Sequence, residues 1–162
     1  MKKIWAPWRM EYITKNKPGE CIFCCLPKTE DDKKNFILFR GKYSFVIMNI
    51  FPYSNGHLMV SPYRHLSCIT KLNSKESLEV NELTKNCIQI LREANSPEGF
   101  NVGFNIGKCA GASYDEHIHN HIVPRWTGDN NFMPALAETK VIPEHLNKTF
   151  ERLVPNFKKL NL

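Results

Sequence analysis

The 162-residue sequence has no apolar run approaching the roughly 18 residues of a membrane-spanning helix, so no membrane partner is expected. Its opening, Met1-Lys2-Lys3-Ile4-Trp5-Ala6-Pro7-Trp8-Arg9, lacks the continuous apolar centre of a secretion signal, and the cytoplasm is the expected compartment. No internal repeat and no low-complexity linker interrupts it, which fits one domain of ordinary size. A second Cys-x-x-Cys is missing and the basic residues are scattered, so a zinc-ribbon nucleic-acid binder gains no support from the formal charge of +6. That charge suits anionic ligands, nucleotides included. A chain of this length buries about 70% of its unfolded surface and needs no disulfide staples. Two of its six cysteines form Cys21-Ile22-Phe23-Cys24, a chelating spacing, and reduced thiols are expected.

What is present centres on Tyr114-Asp115-Glu116-His117-Ile118-His119-Asn120-His121-Ile122-Val123-Pro124-Arg125-Trp126. Successive side chains of a strand point to opposite faces, so His117, His119 and His121 emerge together while Ile118 and Ile122 pack behind them. Imidazole serves as nucleophile, proton carrier or metal ligand near neutral pH, depending on its surroundings.

The rest of the chain predicts an α+β domain. Residues 1–20 read as an extended arm whose aromatics must dock somewhere, and Asp31 to Lys34 as a charged surface loop. Phe36–Arg40 and Phe45–Ile50 flank Gly41-Lys42-Tyr43-Ser44 as a hairpin, and His57–Ser61 follows the turn Pro52-Tyr53-Ser54-Asn55-Gly56 as a third strand. The best helix runs from Ser74 to Asn95, with Asn73 and Glu76 as a capping pair and Val80, Leu83, Cys87, Ile90, Leu91 and Ala94 on one face. Phe100 to Ile106 alternates as a strand, Phe132 to Val141 suits a last one, and Pro143-Glu144 opens a short helix that Pro155 ends. Strands in clusters around one long helix argue for a mostly antiparallel sheet.

Two constellations share the histidine row. Cys21 and Cys24 bring two thiolates to one ion, and zinc then wants two more ligands, with His65 the candidate outside the row. A redox pair or two packed cysteines also fit that spacing. The loop Gly107-Lys108-Cys109-Ala110-Gly111-Ala112-Ser113 can aim backbone N–H groups at a phosphate, with Asn105 and Ser113 as side-chain donors, or serve only as a tight crossover. Directly before three imidazoles it gains meaning, because imidazole attacks phosphorus once its tautomer is fixed and the phosphate charge is neutralised.

The run His117-Ile118-His119-Asn120-His121-Ile122-Val123 resembles the motif of the histidine-triad (HIT) family. Asn49-x-x-Pro52 with Gly56-His57-Leu58-Met59-Val60 resembles that family's upstream strand pair, and Gly103-Phe104-Asn105 through Ser113 its phosphate loop. Pro124-Arg125-Trp126-Thr127-Gly128-Asp129-x-Asn131-Phe132-Met133 is similar to a bacterial and archaeal branch described as diadenosine-tetraphosphate phosphorylase-like or hydrolase-like, and the likeness spans residues 4–135.

The resemblance implies a HIT-like fold of about five strands, as one domain with an arm (1–20), a core (21–135) and a C-terminal extension (136–162). It implies an enzyme cleaving a dinucleoside polyphosphate or related nucleotide at the α-phosphate through a nucleotidyl-histidine, with water or phosphate as acceptor. His119 becomes the nucleophile, His121 and His57 contact phosphate oxygens, Ser113 assists the leaving group, Asn105 holds phosphate or the leaving side, and Asn49 binds ribose. One structural zinc per chain falls to Cys21, Cys24, His65 and His117, and a homodimer is implied. Asn120 departs from the family's apolar residue and puts a polar group on the back face, toward solvent or another loop. Cys25, Cys68, Cys87, Cys109 and His145 read as packing or surface residues, and Trp126 as a core, dimer or base-stacking residue. The rival to an enzyme is a non-catalytic nucleotide-binding protein of the same fold, which predicts tight binding without turnover.

Overall fold

The structure, a computed structural model, describes residues 20–112, 114–129, 142 and 144–160. The expected arm, the strand expected at Phe132–Val141 and Ser113 fall outside the described residues or nearly so, residue 20 alone of the arm being described. In chain order the elements are α1 (Ile22–Cys25), α2 (Asp32–Asn35), β1 (Ile37–Arg40), β2 (Ser44–Met48), β3 (Leu58–Pro62), α3 (Ser74–Asn95), β4 (Gly99–Phe104), β5 (Asn120–Arg125) and α4 (Leu146–Phe157), with single 3-10 turns at Leu26–Lys28, Ile69–Lys71 and Lys108–Ala110. The strands form one sheet in the order β1-β2-β3-β5-β4, antiparallel at every pairing. This is the α+β architecture read from the sequence.

The strands alternate as the pleat requires. Val46, Met48, Leu58, Val60 and Ile122 face α3 and α4, where Val80, Leu83, Cys87, Ile90, Leu91, Phe150, Leu153 and Phe157 complete the main core. The opposite face carries Phe45, Ile47 and Met59, which pack with Ile37 and Phe23. His121 pairs across from Met59 and so belongs to this second face, away from both long helices.

Helix α3 matches its expected bounds. The Asn73 side chain accepts from the backbone N–H groups of Lys75 and Glu76, the Glu76 carboxylate accepts from the Asn73 N–H, and the helix stops at Ser96 in the left-handed conformation.

Several elements differ from expectation. Asp31 to Lys34 is not a loop: the Asp31 side chain accepts from the Lys34 N–H and caps the single turn α2. The histidine strand begins only at Asn120, because ladder pairing with β3 and β4 stops there. His117 and His119 lie in the segment before it, which is tied instead by Ile118 N–H to the Leu66 carbonyl and by Ser61 Oγ–H to the Ile118 carbonyl. Pro155 does not end α4, which continues to Phe157. Proline there forfeits the bond to the carbonyl of Glu151, an exposed residue, while fully buried Phe157 anchors the last turn. His145 lies at the surface, as expected, and in addition caps α4, its Nδ1 accepting from the Asn147 N–H.

Asn120 is buried, not turned to solvent. It projects onto the helix side of the sheet, where its Nδ2 donates to Thr84 Oγ1 of α3 at 2.9 Å.

Candidate active site and metal cluster

Each imidazole of the row has a different set of partners, and the partners fix its tautomer. His119 Nδ1 lies 2.8 Å from the His117 carbonyl oxygen. A carbonyl only accepts, so Nδ1 carries the proton and Nε2 keeps its lone pair. The ring stacks on Phe23 (centroids 4.5 Å, 25° between planes) and meets His121 edge to face at 4.7 Å. Burial holds its pKa below the ordinary imidazole value, which keeps the lone pair available at neutral pH.

His57 and His121 form a second unit. The Tyr53 backbone N–H donates to His57 Nδ1 at 3.0 Å, and the Asn49 amide lies 3.3 Å from the same atom. His57 therefore carries its proton on Nε2 and donates it to His121 Nδ1, 2.9 Å away. The His121 proton is then on Nε2, 3.4 Å from Asn105 Nδ2; both atoms are donors, so the two are neighbours without a hydrogen bond and the Nε2–H is left for another acceptor. Tyr53 covers both rings, with centroids 4.7 Å from His57 and 5.7 Å from His121. Burial first, then the neighbouring His119, lowers the His121 pKa to about 4. His57, expected to contact phosphate oxygens, has its Nε2–H directed at His121 instead, so the His121 Nε2–H is the neutral donor left for a developing phosphoryl charge.

His117 turns the other way. Its Nε2 lies 2.9 Å from the Pro62 carbonyl, so Nε2 is protonated and the Nδ1 lone pair faces Cys21 Sγ at 3.3 Å and Cys24 Sγ at 3.5 Å. His65 Nδ1 is 3.3 Å from Cys24 Sγ, and the four donor atoms lie within 4.8 Å of one another. Zinc bonds of about 2.3 Å to sulfur and 2.0–2.1 Å to nitrogen bring tetrahedral donors to roughly this separation. Burial, then the hydrogen bond and charge of Cys21, push the Cys24 thiol up to about 11, so two thiolates here need a cation beside them. The donor set fits a closed tetrahedral zinc site, and the Pro62 carbonyl is the outer partner that a ligating histidine uses to fix its tautomer.

The structure thus brings together Cys21, Cys24, His65 and His117 as one cluster and Asn49, His57, His121 and Asn105 as one chain of contacts, with His119 between them. Ser113 lies outside the described residues. Cys87 is buried and Cys109 exposed, as expected, and Trp126 Nε1–H donates to the Ser96 carbonyl. Phe23 and Tyr53 were missed. Position inside the Cys-x-x-Cys pair was the available signal for Phe23; for Tyr53, four residues before His57, there was none.

A five-stranded antiparallel sheet carrying a row of imidazoles on the face away from its two long helices defines a histidine-triad domain protein. The HIT domain family profile matches residues 30–128, and the chain belongs to this family. It is 39% identical over 157 residues to the AP-4-A phosphorylase of Mycobacterium tuberculosis, an alignment covering 92% of this chain and 80% of that protein. Among solved structures it resembles a zinc-bound histidine-triad family protein from Mycobacterium smegmatis, with TM-score 0.68, 23% identity, and coverage of 86% and 94% of the two chains. It also resembles the diadenosine triphosphate hydrolase of Plasmodium falciparum, with TM-score 0.61, 20% identity, and coverage of 77% and 76%. The two structural likenesses establish the fold.

Proposed function

We propose that this protein is an enzyme that cleaves a dinucleoside polyphosphate at the α-phosphate through a nucleotidyl-histidine. The carrying observation is the His119 Nδ1–H bond to the His117 carbonyl, which leaves Nε2 as a neutral nucleophile. The Nε2 lone pair forms an N–P bond, the bridging P–O bond breaks, and its electrons leave with the departing nucleotide. Water or inorganic phosphate then attacks the same phosphorus and returns the electron pair to Nε2. His121 Nε2–H, supplied through His57, binds the phosphate oxygens as charge builds. Asn105 holds the phosphate or leaving side, Asn49 the ribose hydroxyls, and Ser113 assists the leaving group. The name of the Mycobacterium tuberculosis relative supports diadenosine tetraphosphate as the substrate class.

Cys21, Cys24, His65 and His117 hold one structural zinc in this reading, with no open position for substrate. Reduced thiols suit the cytoplasm. The edge strand β4, with Val102 exposed on it and Ile106 exposed just past its end, supports pairing with a second copy as a homodimer. The single domain divides in this reading into a core region, 21–135, and a C-terminal extension whose helix α4 packs against the sheet.

Incubating the protein with diadenosine tetraphosphate, with and without phosphate, separates AMP plus ATP from ADP plus ATP. Mass spectrometry of protein quenched during turnover is expected to find one mononucleotide on His119. Normal turnover by His119→Ala would refute the nucleophile.

A further inference from the structure

Phe23 sits between the two cysteines of the cluster, on a helix of four residues. A single turn is not stable alone, so α1 is held by what it touches. Its one buried side chain is Phe23, 1% exposed and set among Ile37, Phe45, Ile47 and Met59. The ring stacks on His119 at 4.5 Å, tilts against His117 at 5.4 Å and meets Tyr114 edge to face at 6.0 Å. One buried ring therefore touches both the imidazole of the proposed attack and an imidazole of the metal cluster.

The His119 hydrogen bond to its own chain fixes where Nδ1 points, but a single bond leaves the ring free to rock about that line. His121 meets that ring only edge to face, at 4.7 Å, whereas the Phe23 ring lies 25° from parallel against its face and limits the rocking. We propose that Phe23 is a positioning residue for His119, and that the metal cluster acts on the reacting imidazole through it. This rests on the reading of His119 as nucleophile. Cys21 and Cys24 hold the two ends of the segment that carries Phe23, so the metal sets the ring and the ring sets the plane in which Nε2 meets phosphorus. An attack geometry is sensitive to small errors: a displacement of about 1 Å costs roughly a hundredfold in rate.

The test compares Phe23→Leu with Phe45→Leu, both in zinc-loaded protein. Phe45 is as deeply buried in the same cluster but stacks on Tyr63. In the wild type, proton NMR is expected to show the His119 ring protons shifted upfield by the Phe23 ring current. Phe23→Leu should abolish that shift and slow single-turnover nucleotidyl transfer by roughly tenfold to a hundredfold, with nucleotide affinity and zinc content retained. Phe45→Leu should leave both readings in place, and Phe23→Tyr, which keeps the ring, should retain them. Removing zinc from the wild type with a chelator should move the His119 signals as Phe23→Leu does, a reading that needs no variant to fold. Unchanged His119 signals and transfer rate in Phe23→Leu, or equal losses in both leucine variants, would overturn the positioning role. Wild-type signals indifferent to zinc removal would overturn the coupling. A wild type that forms no nucleotidyl-protein ends the functional reading, while the ring-current shifts still decide where Phe23 holds His119.

Discussion

His57 Nε2 and His121 Nδ1 lie 2.9 Å apart, and the Tyr53 N–H at the far side of His57 dictates which of them gives the proton. The order Tyr53 N–H, His57, His121 is a one-way chain of donors ending at His121 Nε2. Neither ring needs to be charged for the chain to present a proton where the proposed reaction puts the phosphate oxygens.

Replacing His57 by Phe keeps a ring beneath Tyr53 and removes the donor to His121. The freed His121 can then adopt the tautomer with its lone pair toward the phosphate, which repels charge instead of binding it. The expected result is a fall in kcat/KM of about a hundredfold or more, in the range of a lost general acid or base, with the melting temperature close to wild type. Steady-state kinetics on diadenosine tetraphosphate checks this, and a retained kcat/KM would show that the donor chain is dispensable.

His121 sets an acid limit. His121 titrates at about 4 when folded and near 6.5 when unfolded, so between these values the unfolded chain binds the extra proton. Unfolding free energy therefore rises with pH across that window: the contribution is full above about pH 6.5 and is lost as pH falls toward 4. Thermal melts from pH 8 to 4 should be flat and then decline, and His121→Asn should decline less steeply than the wild type. Equal slopes would assign the acid sensitivity to other groups.

The parts of this molecule that repeat with a period were legible in the sequence. Helix α3 announced itself through Asn73, Glu76 and its apolar face, and the alternation of His117, His119 and His121 foretold one working side even though only His121 lies in β5. What escaped depends on contacts between distant segments. Phe23 against His119 and Tyr53 over His57 pair residues whose meeting no local pattern records. The Pro155 stop failed for a related reason, since Phe157 is drawn into a core built mostly by other elements.

Metal removal should separate fold from site. The main core lies between the sheet and helices α3 and α4, on the face away from the cluster, so the domain should stay folded without zinc. Cys21→Ser is expected to bind less zinc than the wild type and to melt lower by roughly 2–4 °C for each kcal/mol lost. Metal analysis of protein purified without added metal, followed by calorimetry, measures both. Equal zinc in the two proteins would remove Cys21 from the cluster.

Asn120 offers a test whose sign is set by a count of partners. Its Nδ2 donates to Thr84 Oγ1, Thr84 Oγ1–H donates to the Val80 carbonyl, and Asn120 Oδ1 is buried with no hydrogen-bond partner among the described residues. Thr84→Val strips the amide of its acceptor and should cost about 1–3 kcal/mol, the penalty of a buried polar group left unmade. Asn120→Leu, close in shape, removes both amide atoms while Thr84 keeps its bond to Val80, and should change stability by less than about 1 kcal/mol in either direction. The double variant should therefore resemble Asn120→Leu, so that the second substitution rescues the first. Urea unfolding of the four proteins measures the cycle. If Asn120→Leu were the more damaging single change, the Oδ1 atom would have to be satisfied in solution, and the tie between β5 and α3 would be a stabilising one.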